Sequence, residues 1–343
     1  MTLADTVLAL MWVGLTAYAL FGGADFGGGF WDLVAGGPQR GKAQRELIEH
    51  SIGPVWEANH VWLIFVLVTL WTGFPAAFAA IMSTLYLPLT AAAFGVILRG
   101  SAFAFRKAVT ELELQRLFGA TFAASSVITP FCLGAVAGAV ASGRVPPGNA
   151  TGDPWASWLN PTSVLGGVLA VGVCAFLAAV YLTADGARTG DDELARAFRV
   201  RALASGVTVG LVALVGIGIL RADAPHLYDG LTGRALPLIA LSAVGGAATL
   251  GLLWRHRYVA ARLAAALAVS AVLWGWGAAQ YPYLLEPDVH IGLVAADEAA
   301  LRPLLVAMLV AGVLVLPSLA LLYVLFQRSD AGATAPATSR EDT

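Results

Sequence analysis

Charge is what this sequence has least of. Only 12% of its 343 residues are Asp, Glu, Lys or Arg, about half the share in a soluble domain, while 58% are hydrophobic. That combination excludes an ordinary soluble protein and leaves an integral membrane protein. Neither sign of charge is in excess: the formal net charge is -2, and the basic residues form small clusters instead of one patch, which argues against nucleic acid as a partner. Cysteine is nearly absent. Cys132 and Cys174 both lie inside apolar runs, so no disulfide framework and no cysteine metal site can be read from them. The N-terminus lacks a basic n-region and an A-x-A cleavage site, and its apolar run outlasts a signal peptide, so it reads as a retained first helix. Histidines are scarce inside the apolar runs: His60 lies in one, with no second histidine at a spacing that would pair with it.

What the chain does have is a series of long apolar runs. A hydrocarbon core ~30 Å thick requires about 20 apolar residues per helix. Nine runs meet that length, near 6–33, 51–72, 76–103, 117–141, 163–185, 202–220, 236–254, 259–280 and 304–326. The expected fold is therefore all-α, one polytopic membrane domain over 1–327. The connections 142–162 and 281–303 hold Pro, Gly, Asn and Asp and read as ordered surface loops, and the polar stretch 328–343 reads as a disordered tail. Of the twenty Lys and Arg, sixteen fall in or beside the loops after spans 1, 3, 5 and 7 and in the tail, and four on the other side. The positive-inside rule then puts the N-terminus outside and the C-terminus in the cytoplasm. Ala19-Leu-Phe-Gly-Gly-Ala-Asp25 resembles Ala179-Val-Tyr-Leu-Thr-Ala-Asp185, which suggests repeats over 1–141 and 163–280: two four-helix bundles along a common axis, with an extra helix at 304–327.

The informative residues are the ionisable ones inside these runs. A charge at the centre of a membrane helix costs roughly 2.5–3.5 kcal/mol on insertion scales and usually marks a function. Ser51-Ile-Gly-Pro-Val-Trp-Glu-Ala-Asn-His-Val-Trp62 opens span 2 and carries Glu57, Asn59 and His60. At 3.6 residues per turn, Glu57 and His60 share a face, with Trp56 and Asn59 on the adjoining one. Asp25, Glu57, Arg99 and Asp185 are expected to converge on one depth near the cytoplasmic side. Each has a plainer reading. Asp25 would cap a helix or pair with Arg99, and Glu57 would form a structural salt bridge to Arg99 or Arg106. Arg99 and Arg106 would follow the positive-inside bias. Trp56, Trp62 and Trp71 read as packing or interfacial residues, and the glycines at 22, 23, 27, 28 and 29 as small-residue helix contacts.

Three motifs, Gly-Ala-Asp-Phe-Gly-Gly-Gly, Ser-Ile-Gly-Pro-Val-Trp-Glu-Ala-Asn-His-Val-Trp and Arg-Gly-Ser-Ala-Phe-Ala-Phe-Arg, give the chain a close resemblance to subunit II of the cytochrome bd quinol oxidases. The likeness extends through Leu159-Asn-Pro161, Tyr281-Pro-Tyr283 and Pro317–Tyr323. The resemblance implies a partner, subunit I, that carries two b-type haems, haem d and the quinol site. It also implies quinol oxidation on the outer side of a bacterial cell membrane and reduction of dioxygen to water with cytoplasmic protons. A small accessory subunit and membrane lipids complete the expected partners. This chain would ligate no metal of its own, and Asp25, Glu57, His60 and Asp185 would be candidates for a proton path, supported by Trp56, Asn59, Arg99 and Arg106. The chain departs from the enterobacterial branch in having Glu57 for Asp and His60 for Gln, and in lacking an acid near Gly22. Two other readings are a stand-alone secondary transporter built around the acidic cluster and a purely structural scaffold.

Overall fold

The computed structural model describes residues 2–37, 39–52, 56–109, 111–285, 287 and 289–333, without the side chains of Ile52, Trp56, Glu57, Lys107, Leu112, Ala320 and 322–333. Thr2 starts the first helix with a capping box, accepting from the Asp5 amide while Asp5 accepts from the Thr2 amide, which satisfies two amides the helix cannot. Helix α1 (Leu3–Ala17) passes through a π-helical turn (Tyr18–Gly22) into α2 (Gly23–Leu33). Then follow α3 (Lys42–Ile52), α4 (Trp56–Gly73), α5 (Pro75–Thr84), α6 (Tyr86–Ala108), α7 (Leu112–Ala141) and α8 (Pro161–Arg188). The chain continues through α9 (Asp192–Asp223), α10 (Pro225–Thr232), α11 (Leu236–Trp254) and α12 (Tyr258–Gln280). A two-stranded antiparallel hairpin, β1 (Tyr283–Leu285) and β2 (Val289–His290), then leads into α13 (Ile291–Val294) and α14 (Glu298–Ala333).

Among the described residues, eight helical segments are long and apolar enough to cross a membrane, and one bent pair raises the total to nine. The bend lies where the sequence suggested two separate spans. Residues 76–84 do not begin span 3: they form α5, which turns 118° from α4, and span 3 starts at Tyr86. Pro75 occupies the first turn of α5, and Phe74 before it leaves the helical region at φ -138°, ψ 59°, as a residue preceding proline tends to do. Phe74 is buried, so the corner is packed. Helix α14 runs through Ala333, into the stretch read as a tail, of which 334–343 lie outside the described residues.

The helices pack as two groups of four. The first contains the α1–α2 span, α4, α6 and α7. In the second, α8, α9, α11 and α12 close a ring, and α2 with α7 joins the groups by packing on α8. Helix α14 lies against α1 and α4. The central seam is tight because of glycine: a Cβ on Gly27 would stand 1.8 Å from the Cys174 carbonyl oxygen, and one on Gly29 would stand 2.1 Å from Ser126 Oγ. These are the small-residue contacts that let membrane helices approach. Away from α3, the ends of the bundles are tied by Asp223, whose carboxylate accepts from Arg144, from the Thr162 amide and from the Thr162 hydroxyl.

Candidate functional site

The site is organised along α2. Asp25 lies in its first turn and is only 3% exposed. Opposite, α6 presents Arg99, 1% exposed. Arg99 Nη2 donates to Asp25 Oδ1 at 2.7 Å and to the Asp25 carbonyl at 3.1 Å, Nη1 donates to Oδ2 at 3.1 Å, and Nε donates to Ser126 Oγ on α7 at 2.9 Å. The guanidinium carbon lies over two aromatic rings, 4.9 Å from the centroid of Phe26 and 4.8 Å from that of Phe122. A bidentate, charge-assisted pair of this kind is among the stronger polar contacts, and the aromatic faces add cation–π attraction. Its burial makes it costly to disrupt, because a lone charge would remain in apolar surroundings.

A second pair stands below the first. Asp32, seven residues after Asp25, accepts from Arg106 Nη1 and from Arg45 Nε, each at 2.7 Å. Arg106 is seven residues after Arg99. Seven residues are two turns, about 10 Å along the axis, so α2 and α6 hold two parallel Asp–Arg rungs. Helix α3 contributes Arg45, which also donates to the Gly36 and Gly37 carbonyls.

Helix α4 borders the upper rung. Asn59 is buried and donates to the Phe21 carbonyl at 3.3 Å. Phe21 belongs to the π-helical turn, where the wider hydrogen-bonding pattern changes which carbonyls the helix itself uses. His60 is half-buried, its ring edge-on to Phe26 at 6.4 Å between centroids, so it adjoins the same Phe26 that faces Arg99. The side chains of Glu57 and Trp56 lie outside the described residues; their backbones form the first turn of α4. Asp185 does not join this group. It accepts from Arg262 on α12 at 2.5 Å and from Arg188, and Arg262 also donates to the Tyr181 carbonyl. Of the charges expected to converge, the structure brings Asp25 and Arg99 into contact and gives Asp185 partners within the second bundle.

A family model for the cytochrome bd terminal oxidase subunit II matches residues 3–326. The chain belongs to that family. Among its relatives are the cytochrome bd ubiquinol oxidase subunit 2 of Bacillus subtilis (strain 168), 26% identical over 69% of this chain and 68% of that one. The cytochrome bd-I ubiquinol oxidase subunit 2 of Escherichia coli (strain K12) is 27% identical over 62% of this chain and 58% of that one. The fold resembles a chain of the bd oxidase from Geobacillus thermodenitrificans, with a TM-score of 0.73 and 26% identity over 95% of this chain and 99% of the other.

In this subunit II family member the five histidines sit on separate segments: His50 on α3, His60 on α4, His226 on α10, His256 between α11 and α12, and His290 on β2. Among the described residues no group of three His, Cys, Asp or Glu is arranged to hold a metal ion. Among the described residues, no two histidines share one membrane-spanning helix. The lower rung was missed in reading the sequence. Its signal was a matched spacing, Asp25 to Asp32 and Arg99 to Arg106, repeated at two turns on two helices. Ser126 gave no such signal.

Proposed function

We propose that this chain is the non-haem-ligating subunit II of a cytochrome bd-type quinol oxidase in a bacterial cell membrane. It supports a haem-bearing subunit I and carries protons from the cytoplasm toward the haems. The observation that supports this most is the Asp25–Arg99 pair, buried against Phe26 and Phe122 beside the α4 helix that bears Glu57 and His60. Asp25 and Arg99 serve best as a fixed dipole. Protonating Asp25 would mean giving up a bidentate bond to a buried guanidinium, a loss on the order of 3–5 kcal/mol for a broken buried pair. The mobile proton is then assigned to Glu57, with the His60 imidazole as relay, since an imidazole can accept a proton at one ring nitrogen and donate from the other. Quinol, the b-type haems and haem d belong to the partner subunit in this reading, and subunit I and membrane lipids are the expected neighbours. The biased distribution of Lys and Arg supports an N-terminus outside and a C-terminus in the cytoplasm. Family membership sets aside the stand-alone transporter.

The scaffold reading has one observation in its favour, namely that Arg99 donates four structural hydrogen bonds. Replacement at Glu57 separates the two. Glu57→Gln keeps the volume and removes the titratable group, and should lower oxygen consumption per haem by about 10²–10⁴, the usual contribution of a relay acid or base. Glu57→Asp should retain most of the rate. Normal turnover in Glu57→Gln, with subunit stoichiometry and haem content intact, would leave the scaffold reading standing.

A further inference from the structure

At the end of the bundles away from α3, α9 stops at Asp223, α11 begins at Leu236 and α12 stops at Gln280. The short α10 lies across this end, packed on α9, α11 and α12. Gly230 makes its contact with α12 close: a Cβ there would stand 2.4 Å from the Ala279 carbonyl oxygen. The β hairpin is held to the same end by Gln280, which donates to the Leu284 carbonyl and accepts from Trp276 Nε1, each at 2.7 Å. Between α10 and the hairpin opens a cavity of about 380 Å³, with His226, Asp229, Arg234 and Tyr283 on its walls. Small-molecule sites occupy roughly 300–1,000 Å³, so the cavity is large enough to hold a ligand.

Its charges are opposite and separate. Arg234 Nη2 donates to the Ala279 carbonyl on α12. Among the described residues no ion pair joins Arg234 to Asp229, and neither the Asp229 carboxylate nor the His226 ring has a protein partner, although both residues are exposed to the cavity. A guanidinium with an imidazole nearby suits a phosphate, and a carboxylate without a cation of its own suits an ammonium. The cavity also stands at headgroup depth. Exposed Trp274 and Tyr281 mark the interface at the end of α12, as aromatic residues do at membrane boundaries. Helix α11 begins two residues after Arg234 and carries exposed Leu236, Leu241 and Val244 from the cavity's edge toward the membrane interior.

We propose that this cavity binds the headgroup of a zwitterionic phospholipid of the aminoethyl phosphate type. The phosphate lies on Arg234 and His226, the ammonium donates to Asp229, and an acyl chain runs down α11. An anionic headgroup without an amine would leave Asp229 uncompensated. A choline headgroup brings a cation with no N–H to donate. The site is separate from the Asp25–Arg99 region and does not depend on the proton path.

The measurement is native mass spectrometry of the assembled oxidase, stripped of lipid in detergent and titrated with phosphatidylethanolamine, phosphatidylcholine or phosphatidylglycerol of identical chains. Soluble glycerophosphoethanolamine is titrated in parallel. One phosphatidylethanolamine should bind about tenfold more tightly than either other lipid, the usual worth of a charge-assisted hydrogen bond. Asp229→Asn, which keeps the side-chain shape, should abolish that preference, and Arg234→Gln should weaken all three lipids about tenfold. Equal binding of the three lipids to the unaltered complex, or an unchanged preference in Asp229→Asn, would overturn the assignment. Glycerophosphoethanolamine binding as tightly as the lipid would overturn the membrane source. Because Arg234 also ties the start of α11 to α12, Arg234→Gln is backed by His226→Ala: if the first fails to assemble, undiminished lipid affinity in the second refutes the phosphate contact.

Discussion

Asp25 and Asp185 end matching heptapeptides, and each is bonded to an arginine from another helix of its own bundle, yet their surroundings differ. Asp25 and Arg99 have side chains 3% and 2% exposed, whereas Asp185 and Arg262 remain 22% and 26% exposed, and Arg188 crowds the latter pair as a second cation. The first pair has two phenylalanine rings, Phe26 and Phe122, within 5 Å of the Arg99 guanidinium carbon. The second has one ring, Tyr181, 5.5 Å from the Arg262 guanidinium carbon. The same residue pair therefore has two energetic meanings. Where water is excluded, removing one partner strands a charge; where water reaches both, the surviving charge is resolvated and little is lost.

The sharpest attempt to break this comparison is Arg99→Ala. It should destabilise the detergent-solubilised complex by about 3–5 kcal/mol, seen as a large fall in melting temperature or loss of the subunit from its partner. A mild effect would show that water reaches Asp25 after all. Next is Gly29→Ala, whose Cβ would meet Ser126 Oγ at 2.1 Å; forcing α2 and α7 apart should cost roughly 1–3 kcal/mol. Because Ser126 also accepts from Arg99, a double-mutant cycle should show the Asp25–Arg99 coupling weakened in the Gly29→Ala background and the Asp185–Arg262 coupling unchanged. The smallest effect belongs to Arg262→Ala, about 1 kcal/mol or less, with normal oxygen consumption per haem. If that substitution were as damaging as Arg99→Ala, the two bundles would be equivalent and the distinction would fall.

The spans were legible because an apolar run of membrane length has few other uses, and their ends were recovered wherever a polar loop followed. The bend between α4 and α5 was not. Residues 74–86 are as apolar as their flanks, and the turn depends on Phe74 and Pro75 adopting particular dihedrals, which hydropathy does not register. Asp25 and Arg99 announced themselves as charges within apolar runs. Asp32 escaped because it stands at the end of a run, where an acid is ordinary. For Asp185 the expectation was one of depth alone: counting along helices gives depth, but not the direction a side chain takes around the helix axis, which here turns Asp185 to Arg262 and Arg188.

The π-helical turn at Tyr18–Gly22 bears on how such a site arises. A π turn accommodates one residue more than an α turn, so everything after it is rotated by about 100° relative to a continuous helix. Asp25 and Asp32 thus owe their azimuth to this turn, while α1 keeps its own contacts with α4 and α14. Removing a single residue between Tyr18 and Gly22 would swing both carboxylates off the arginine-bearing side together and leave α1 in place. One codon gained or lost in that turn is therefore enough to create or erase the whole ladder, which makes the turn an evolutionary phase-setter for the first span.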